Sequence, residues 1–236
     1  MGKTQRVEAG RDRMTSLSDI WNAFNDPILD GPGETVTHLK MSLVALLFAA
    51  GIGVAAGVAA AKLGRVAAFV VIAIGNLGRT VPTFAVMALV VAVSSIGFWP
   101  AVVGLILLGI PPILLNAYTG VKEVDADTVE AARGMGLTSF QLLGRVELPV
   151  AMPLMFAGIR ISAVQIVATA ALAGLVGAGG LGILVLSGLA NNKTDVLLAG
   201  AIPIALLAVA TEILFSGIFR FLTPRGLRLA RGPSNQ

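Results

Sequence analysis

Val124-Asp125-Ala126-Asp127-Thr128-Val129-Glu130-Ala131-Ala132-Arg133-Gly134-Met135-Gly136-Leu137, continuing to Val146-Glu147-Leu148-Pro149, is a charged island in an otherwise oily chain. Apolar stretches long enough to cross a bilayer flank it on both sides, so the island must lie outside the lipid. Its pattern predicts a short helix, a glycine break and a second short helix. Asp127-Thr128-Val129-Glu130 fits a capping box, in which the Asp127 carboxylate accepts from the Glu130 backbone N–H and the Glu130 side chain reaches back. Gly134 and Gly136 weaken the helix where a bend is needed. Phe140, Leu142, Leu143 and Val146 give the second half an apolar face, and Pro149 suits the first turn of the helix that follows, where its missing N–H costs nothing.

Glu130-Ala131-Ala132, three residues, Gly136, nine residues, Val146, one residue and Leu148-Pro149 together resemble the EAA loop of ABC-importer permeases, with valine where isoleucine is usual. In that family the loop is a coupling helix that docks in a cleft of the cytoplasmic ATPase. The resemblance implies that Glu130, Ala131, Ala132 and Gly136 form the ATPase-coupling segment. A helix lying in a protein groove needs small residues where backbones touch and a charge to fix register, and Ala131, Ala132 and Glu130 meet that demand. On a plainer reading Glu130 caps its own helix and the alanines are helix formers; the two roles are compatible.

The composition sets the class. Of 236 residues 56% are hydrophobic and 13% charged, against about 25% charged in soluble domains, and the mean hydropathy is +0.88. The expectation is an all-α integral membrane protein of about five transmembrane helices, six being the alternative count, with a cytoplasmic coupling helix and a fold like that of type I ABC-importer permeases. It divides into a polar tail with a short interfacial helix (1–38), a membrane domain (39–222, coupling loop about 124–148) and a basic cytoplasmic tail (223–236). A soluble catalytic domain does not fit. A net charge of +4 would ordinarily raise the question of nucleic acid, but in a membrane protein lysine and arginine collect on the cytoplasmic side, and no nucleic-acid partner is expected. With no cysteine there is no disulfide framework, thiolate nucleophile or cysteine metal site. The polar stretch before the first apolar run is too long for a cleaved signal peptide.

Residues 1 to about 16 read as disordered. Leu17, Ile20, Trp21 and Phe24 form one helical stripe, a short amphipathic helix on the membrane surface. Asp26-Pro27 and Gly31-Pro32-Gly33 break the chain before a first span from Leu39 to Ala61. Ala49, Gly53, Gly57 and Ala61 recur every four residues there, a stripe that lets a second helix approach closely. Val66 to Ile74 is too short to cross. No charge occurs between Arg79 and Lys122, room for two spans with a turn at Ser94-Ser95-Ile96-Gly97-Phe98-Trp99-Pro100. Val150 to Leu172 is the fourth span and Val196 to Phe221 the fifth.

In the fourth span Ser162, Gln165 and Thr169 share a face with Gly158. Such a stripe either bonds a neighbouring helix or faces a water-filled path; with Asn116 these three are the candidate substrate path. Gly174-Leu175-Val176-Gly177-Ala178-Gly179-Gly180-Leu181-Gly182 is a poor helix. Gly174, Gly177, Gly179 and Gly180 are candidates for an outer gate or hinge, or else a plain re-entrant turn; the lysine of a phosphate-binding loop is missing. Arg160 and Glu212 each fall about 15 Å into a span at the helical rise, a depth at which a lone charge is costly, so an ion pair joining the last two spans is expected.

Five spans with the N-terminus outside place Lys62, Arg65, Arg79, Lys122, Arg133, Arg145, Arg160, Arg220, Arg225, Arg228 and Arg231 inside, against Lys3, Arg6, Arg11, Arg13, Lys40 and Lys193 outside. That bias puts the island and the C-terminus in the cytoplasm.

Several further segments are similar to one branch of the same superfamily, the permeases for glycine betaine, carnitine and choline. They are Asn76-Leu77-Gly78-Arg79-Thr80-Val81-Pro82, Leu115-Asn116-Ala117-Tyr118-Thr119-Gly120, Leu172 to Gly182, and Leu198-Ala199-Gly200-Ala201-Ile202-Pro203. Leu115 stands where that branch often has arginine before the asparagine. The resemblance implies a bacterial-type plasma-membrane location, a second permease chain (identical or paralogous), cytoplasmic ATPase subunits that hold the ATP and Mg, and an extracytoplasmic substrate-binding protein. No cofactor is expected in this chain. A quaternary ammonium is held best by an aromatic cage, and two Trp and one Tyr, none clustered, fit a low-affinity path with recognition delegated to the binding protein.

Two other readings compete. Methionine and other amino-acid permeases share the loop. A secondary transporter driven by an ion gradient would suit broken helices, but no inverted repeat is found. An intramembrane enzyme lacks paired carboxylates within the membrane, and the single histidine, His38, is expected to be interfacial.

Overall fold

A computed structural model describes residues 15–80 and 82–222. The expectations for the first fourteen residues, Val81 and the 223–236 tail lie outside the described residues. All regular structure in the described residues is helical. The helices are α1 (Leu17–Phe24), α2 (Gly31–Leu63), α3 (Arg65–Thr80), α4 (Thr83–Val93), α5 (Phe98–Lys122), α6 (Ala126–Gly134), α7 (Ser139–Leu142), α8 (Leu148–Thr169), α9 (Gly182–Ala190) and α10 (Thr194–Leu222). A π-turn, Leu143–Glu147, joins α7 to α8, and a 3-10 segment, Ala170–Val176, follows α8.

Among the described residues four stretches are long and apolar enough to cross a bilayer: α2, α5, the continuous Ser139–Val176 run and α10. The apolar helices Arg65–Leu77 and Thr83–Val93 are shorter, so the second of the five expected spans is an eleven-residue helix, less than the ~20 residues a full crossing takes.

Helix α2 starts eight residues before the hydropathy suggests. Asp30 is its N-cap, accepting from the Gly33 N–H at 3.1 Å, and Pro32 sits in the first turn, where proline is tolerated. The expected break at Gly31-Pro32-Gly33 is therefore a helix start. The stripe Ala49, Gly53, Gly57 and Ala61 is buried and receives α5. A Cβ at 53 would lie 2.9 Å from Ile113 Cβ, and one at 57 would lie 2.7 Å from Ala117 Cβ, so glycine sets the helix separation there.

Helix α5 is central, with α2 on one side and α8 on the other. Met41, Ala45, Met87, Leu105, Ile113 and Ile166 form the main core around it. Pro111 and Pro112 lie inside α5, leaving the Leu107 and Leu108 carbonyls without their usual helical donors. Helix α1 has a capping box between Ser16 and Asp19. Its stripe divides: Ile20 and Phe24 pack with Ala23 against Leu184, Val196 and Ala199, while Leu17 and Trp21 stay exposed.

Candidate functional site

The island folds as α6, a turn, and α7 running through the π-turn into α8. The helix N-cap is Asp125, not the expected Asp127. Its carboxylate accepts from the Thr128 N–H at 3.3 Å and the Thr128 hydroxyl at 3.0 Å. Helix α5 ends at Lys122, so the chain can already turn at Asp125, and Glu130 lies too far along α6 to close a box. Gly136 adopts φ 85° in the break, a left-handed conformation that favours glycine. Thr138 caps the second helix, with Gln141 bonding back to its N–H at 2.9 Å.

Glu130 and Ala131 are exposed while Ala132 is buried against its own chain, so the two alanines face opposite ways. The loop's apolar face divides likewise: Leu142 is buried, whereas Phe140 and Met135 stand out at 86% and 75% exposure. The loop thus exposes a phenylalanine, a methionine and a carboxylate, the mixture found at protein-interaction surfaces.

Behind α6 an open cleft of about 720 Å³ is lined by Lys62, Lys122, Glu130, Arg133 and Glu147 among others. In it Glu147, 3% exposed, accepts from the Lys62 ammonium at the end of α2. Sequence reasoning missed this pair. The available signal was a carboxylate directly before Leu148-Pro149, at the edge of a span where an unpaired charge is expensive.

Within the membrane domain Arg160 Nε donates to Glu212 Oε2 at 2.9 Å, and a second guanidinium nitrogen donates to Oε1, a two-point geometry. The pair ties α8 to α10, with Phe156 against Phe215 and Phe219 beside it. Both side chains are about 40% exposed in the single chain. Arg160→Ala is expected to cost about 2 kcal/mol, as removing one partner leaves a charge in the span. Thermal unfolding in lipid nanodiscs measures this; the Arg160→Glu/Glu212→Arg exchange should recover most of the loss, and unchanged melting of both single alanine variants would refute a stabilising role.

The expected path residues lie in different surroundings. Ser162 is fully buried and its hydroxyl donates to the Gly109 carbonyl at 2.7 Å, so it belongs to the seam between α5 and α8. Asn116 donates to Pro112 in its own helix at 2.8 Å. Gln165 and Thr169 are half-buried.

The glycine segment is a 3-10 helix followed by a tight turn. Gly177, Gly179 and Gly180 all have positive φ, and Gly174 lies against the α9 start, where a Cβ would come 2.8 Å from the Gly182 carbonyl carbon. The turn sits on the first two turns of α2. The Gly180 N–H donates to the Glu34 carboxylate, and a Cβ at 179 or 180 would be 3.1 Å from Thr37 or 3.0 Å from Met41. His38, expected at the interface, is instead fully buried beneath this turn. Its Nε2–H donates to the Val167 carbonyl at 2.9 Å, and Nδ1 has no hydrogen-bond partner among the described residues.

These features define a class: a multi-span helical membrane protein with a charged loop slung between two candidate spans and continuous with one of them. The chain belongs to the family of binding-protein-dependent transport system inner membrane components, which matches residues 51–227. It is 38% identical to the carnitine transport permease protein OpuCB of Listeria monocytogenes over 84% of this chain and 90% of the relative. It is also 38% identical to the choline transport system permease protein OpuBD of Bacillus subtilis (strain 168), over 79% and 83%. Among solved structures, a chain of the inward-facing MetNI methionine ABC transporter superposes with a TM-score of 0.73 at 26% identity, covering 85% of this chain and all of that one. The chain is a multi-pass inner-membrane component of an ABC importer.

Proposed function

We propose that this chain is the permease subunit of an ATP-driven importer for a small quaternary-ammonium osmoprotectant of the betaine, carnitine or choline type. The observation that carries the reading is the loop itself, with Glu130 and Ala131 exposed beside Phe140 and Met135 and continuous with a membrane span. The named cargoes of the curated relatives support the substrate class. The island and C-terminus face the cytoplasm, where a separate ATPase binds and hydrolyses ATP with Mg; this chain has no catalytic role and holds no cofactor. A second permease chain completes the path, and a binding protein delivers the solute outside. Ser162 and Asn116 act through helix packing, and Gln165 and Thr169 are the remaining polar groups for a path. Gly174, Gly177, Gly179 and Gly180 form the outer gate.

The test is the purified permease–ATPase complex in proteoliposomes with its binding protein. ATP-dependent uptake of glycine betaine, carnitine or choline, and ATPase stimulation by the same solute, are expected. Stimulation by methionine alone would move the chain to the amino-acid branch, and uptake that survives ATP depletion would overturn the class of mechanism.

A further inference from the structure

Helix α2 is fastened at both ends by a carboxylate. At its inner end Lys62, in the last turn, pairs with the buried Glu147 at the close of the π-turn. At its outer end Glu34, in the first turn, accepts from the Gly180 N–H in the glycine turn. From Glu34 to Lys62 the unbroken helix rises about 42 Å. Between these ends the small-residue face of α2 lies flush against α5, a contact suited to sliding or rotation of one rigid helix along another.

The inner fastening is specific in place and kind. Glu147 belongs to the five-residue π-turn, a widened turn of the type that marks functional positions in helices, and that turn lies between the α6–α7 loop and span α8. Glu147 is buried while its partner is 40% exposed at the side chain, so the carboxylate is held in the loop segment and the lysine reaches to it from α2. A buried charge of this kind is strongly disfavoured once its partner is withdrawn, which couples displacement of the loop to displacement of α2.

We infer that Lys62 and Glu147 are positioning residues that make α2 follow the ATPase-driven loop, and that α2 carries the movement to the glycine turn at 177–181 through Glu34. The inference rests on the proposed importer function and adds a second route across the membrane, parallel to the direct one through α8. Neither residue touches solute or nucleotide.

The experiment uses the whole permease–ATPase complex in nanodiscs and compares wild type with Lys62→Met/Glu147→Gln, which removes both charges and so leaves no buried ion behind. Hydrogen exchange at residues 177–181 is measured with and without a non-hydrolysable ATP analogue. Wild type should show a nucleotide-dependent change and the double variant should lose it. In proteoliposomes the same variant should hydrolyse ATP while solute moved per ATP falls about tenfold, and the Lys62→Glu/Glu147→Lys exchange should restore most of it. A nucleotide-dependent change of equal size in wild type and double variant, or none in wild type, overturns the inference. Absence of uptake of glycine betaine, carnitine and choline by the wild-type complex would refute the functional reading instead, and the exchange measurement still decides the role of α2. Should the double variant not assemble, Glu34→Gln, which weakens only the outer fastening, is read by the same exchange measurement, and an unchanged nucleotide response overturns the inference.

Discussion

Gly182→Ala is expected to destabilise the fold strongly. A Cβ at this position falls on the Ala171 carbonyl, with Ala171 Cα only 3.1 Å away. Those atoms are backbone of the 3-10 segment and have no rotamer by which to withdraw. Relief would require separating α9 from the 170–176 segment, and with it the turn that covers His38 and Met41. Overpacking of a fixed core typically costs 1–3 kcal/mol or more; contact with backbone puts this substitution at about 3 kcal/mol. Gly188→Ala is expected to behave similarly, since its Cβ would lie 2.6 Å from the Leu197 Cα across the α9–α10 seam. Gly134→Ala, with nothing within 4 Å, should gain slightly, because alanine is the better helix former. Melting temperature and monodisperse yield in detergent or nanodiscs check the series. Equal stability of the 182 and 134 variants would show that the α9 contact is not close-packed.

Phe140→Asp should leave the permease folded but strip it of its ATPase. Phe140 is 86% exposed and contributes little to this chain's own packing. On the loop proposed above to dock with the ATPase, an exposed aromatic ring has the character of a binding hot spot, where truncation costs about 2 kcal/mol or more. A carboxylate in the same pocket adds desolvation, so at least a thirtyfold loss of ATPase affinity is expected, on the order of 2 kcal/mol. Met135→Asp should act in the same direction with smaller effect, and Leu142→Asp should instead destabilise the permease, because Leu142 is 2% exposed. Co-purification of the ATPase and binding measured with immobilised permease distinguish these outcomes. Retained affinity in Phe140→Asp would remove Phe140 from the docking face.

Much of the loop could be read from residue order because its signals are local. Glycines at 134 and 136 end one helix, Thr138 and Gln141 begin another, and both are matters of adjacent backbone groups. The N-cap is displaced by two residues because Asp125 and Asp127 are both competent caps, and the choice depends on where α5 releases the chain. The start of α2 is misread for a related reason: a Gly-Pro-Gly sequence signals a break, yet proline in a first turn after a capping aspartate signals a beginning. Which face of α6 is buried, and hence that Ala132 turns inward while Ala131 turns outward, has no local signature on a helix this short.

Long-range pairs divide by how few partners they have. Arg160 and Glu212 lie at similar depth in apolar helices whose other charges, Asp195 and Arg220, stand in end turns, so depth along each span narrows the choice to one. Lys62 and Glu147 lie at the membrane edge, where many charges compete and only the three-dimensional path of the π-turn selects one. His38 is polar and near a span start, which suggests an interface. The positive-φ glycine turn that closes over it depends on tertiary contacts with α2, and no sequence period reports those. The same applies to Ser162, whose bond to the Gly109 carbonyl turns an apparent lining residue into a fastener between helices.

The run from Ser139 to Val176 is helical throughout, so residues 139–147 and the longer α8 form a single beam. Residues 139–147 give an arm of about 13 Å and α8 one of about 33 Å at the helical rise. For a pivot at their junction, a tilt of roughly 10° shifts the short end by about 2 Å and the far end by about 6 Å. A small displacement at one end of such a beam is a larger one at the other, by geometry alone.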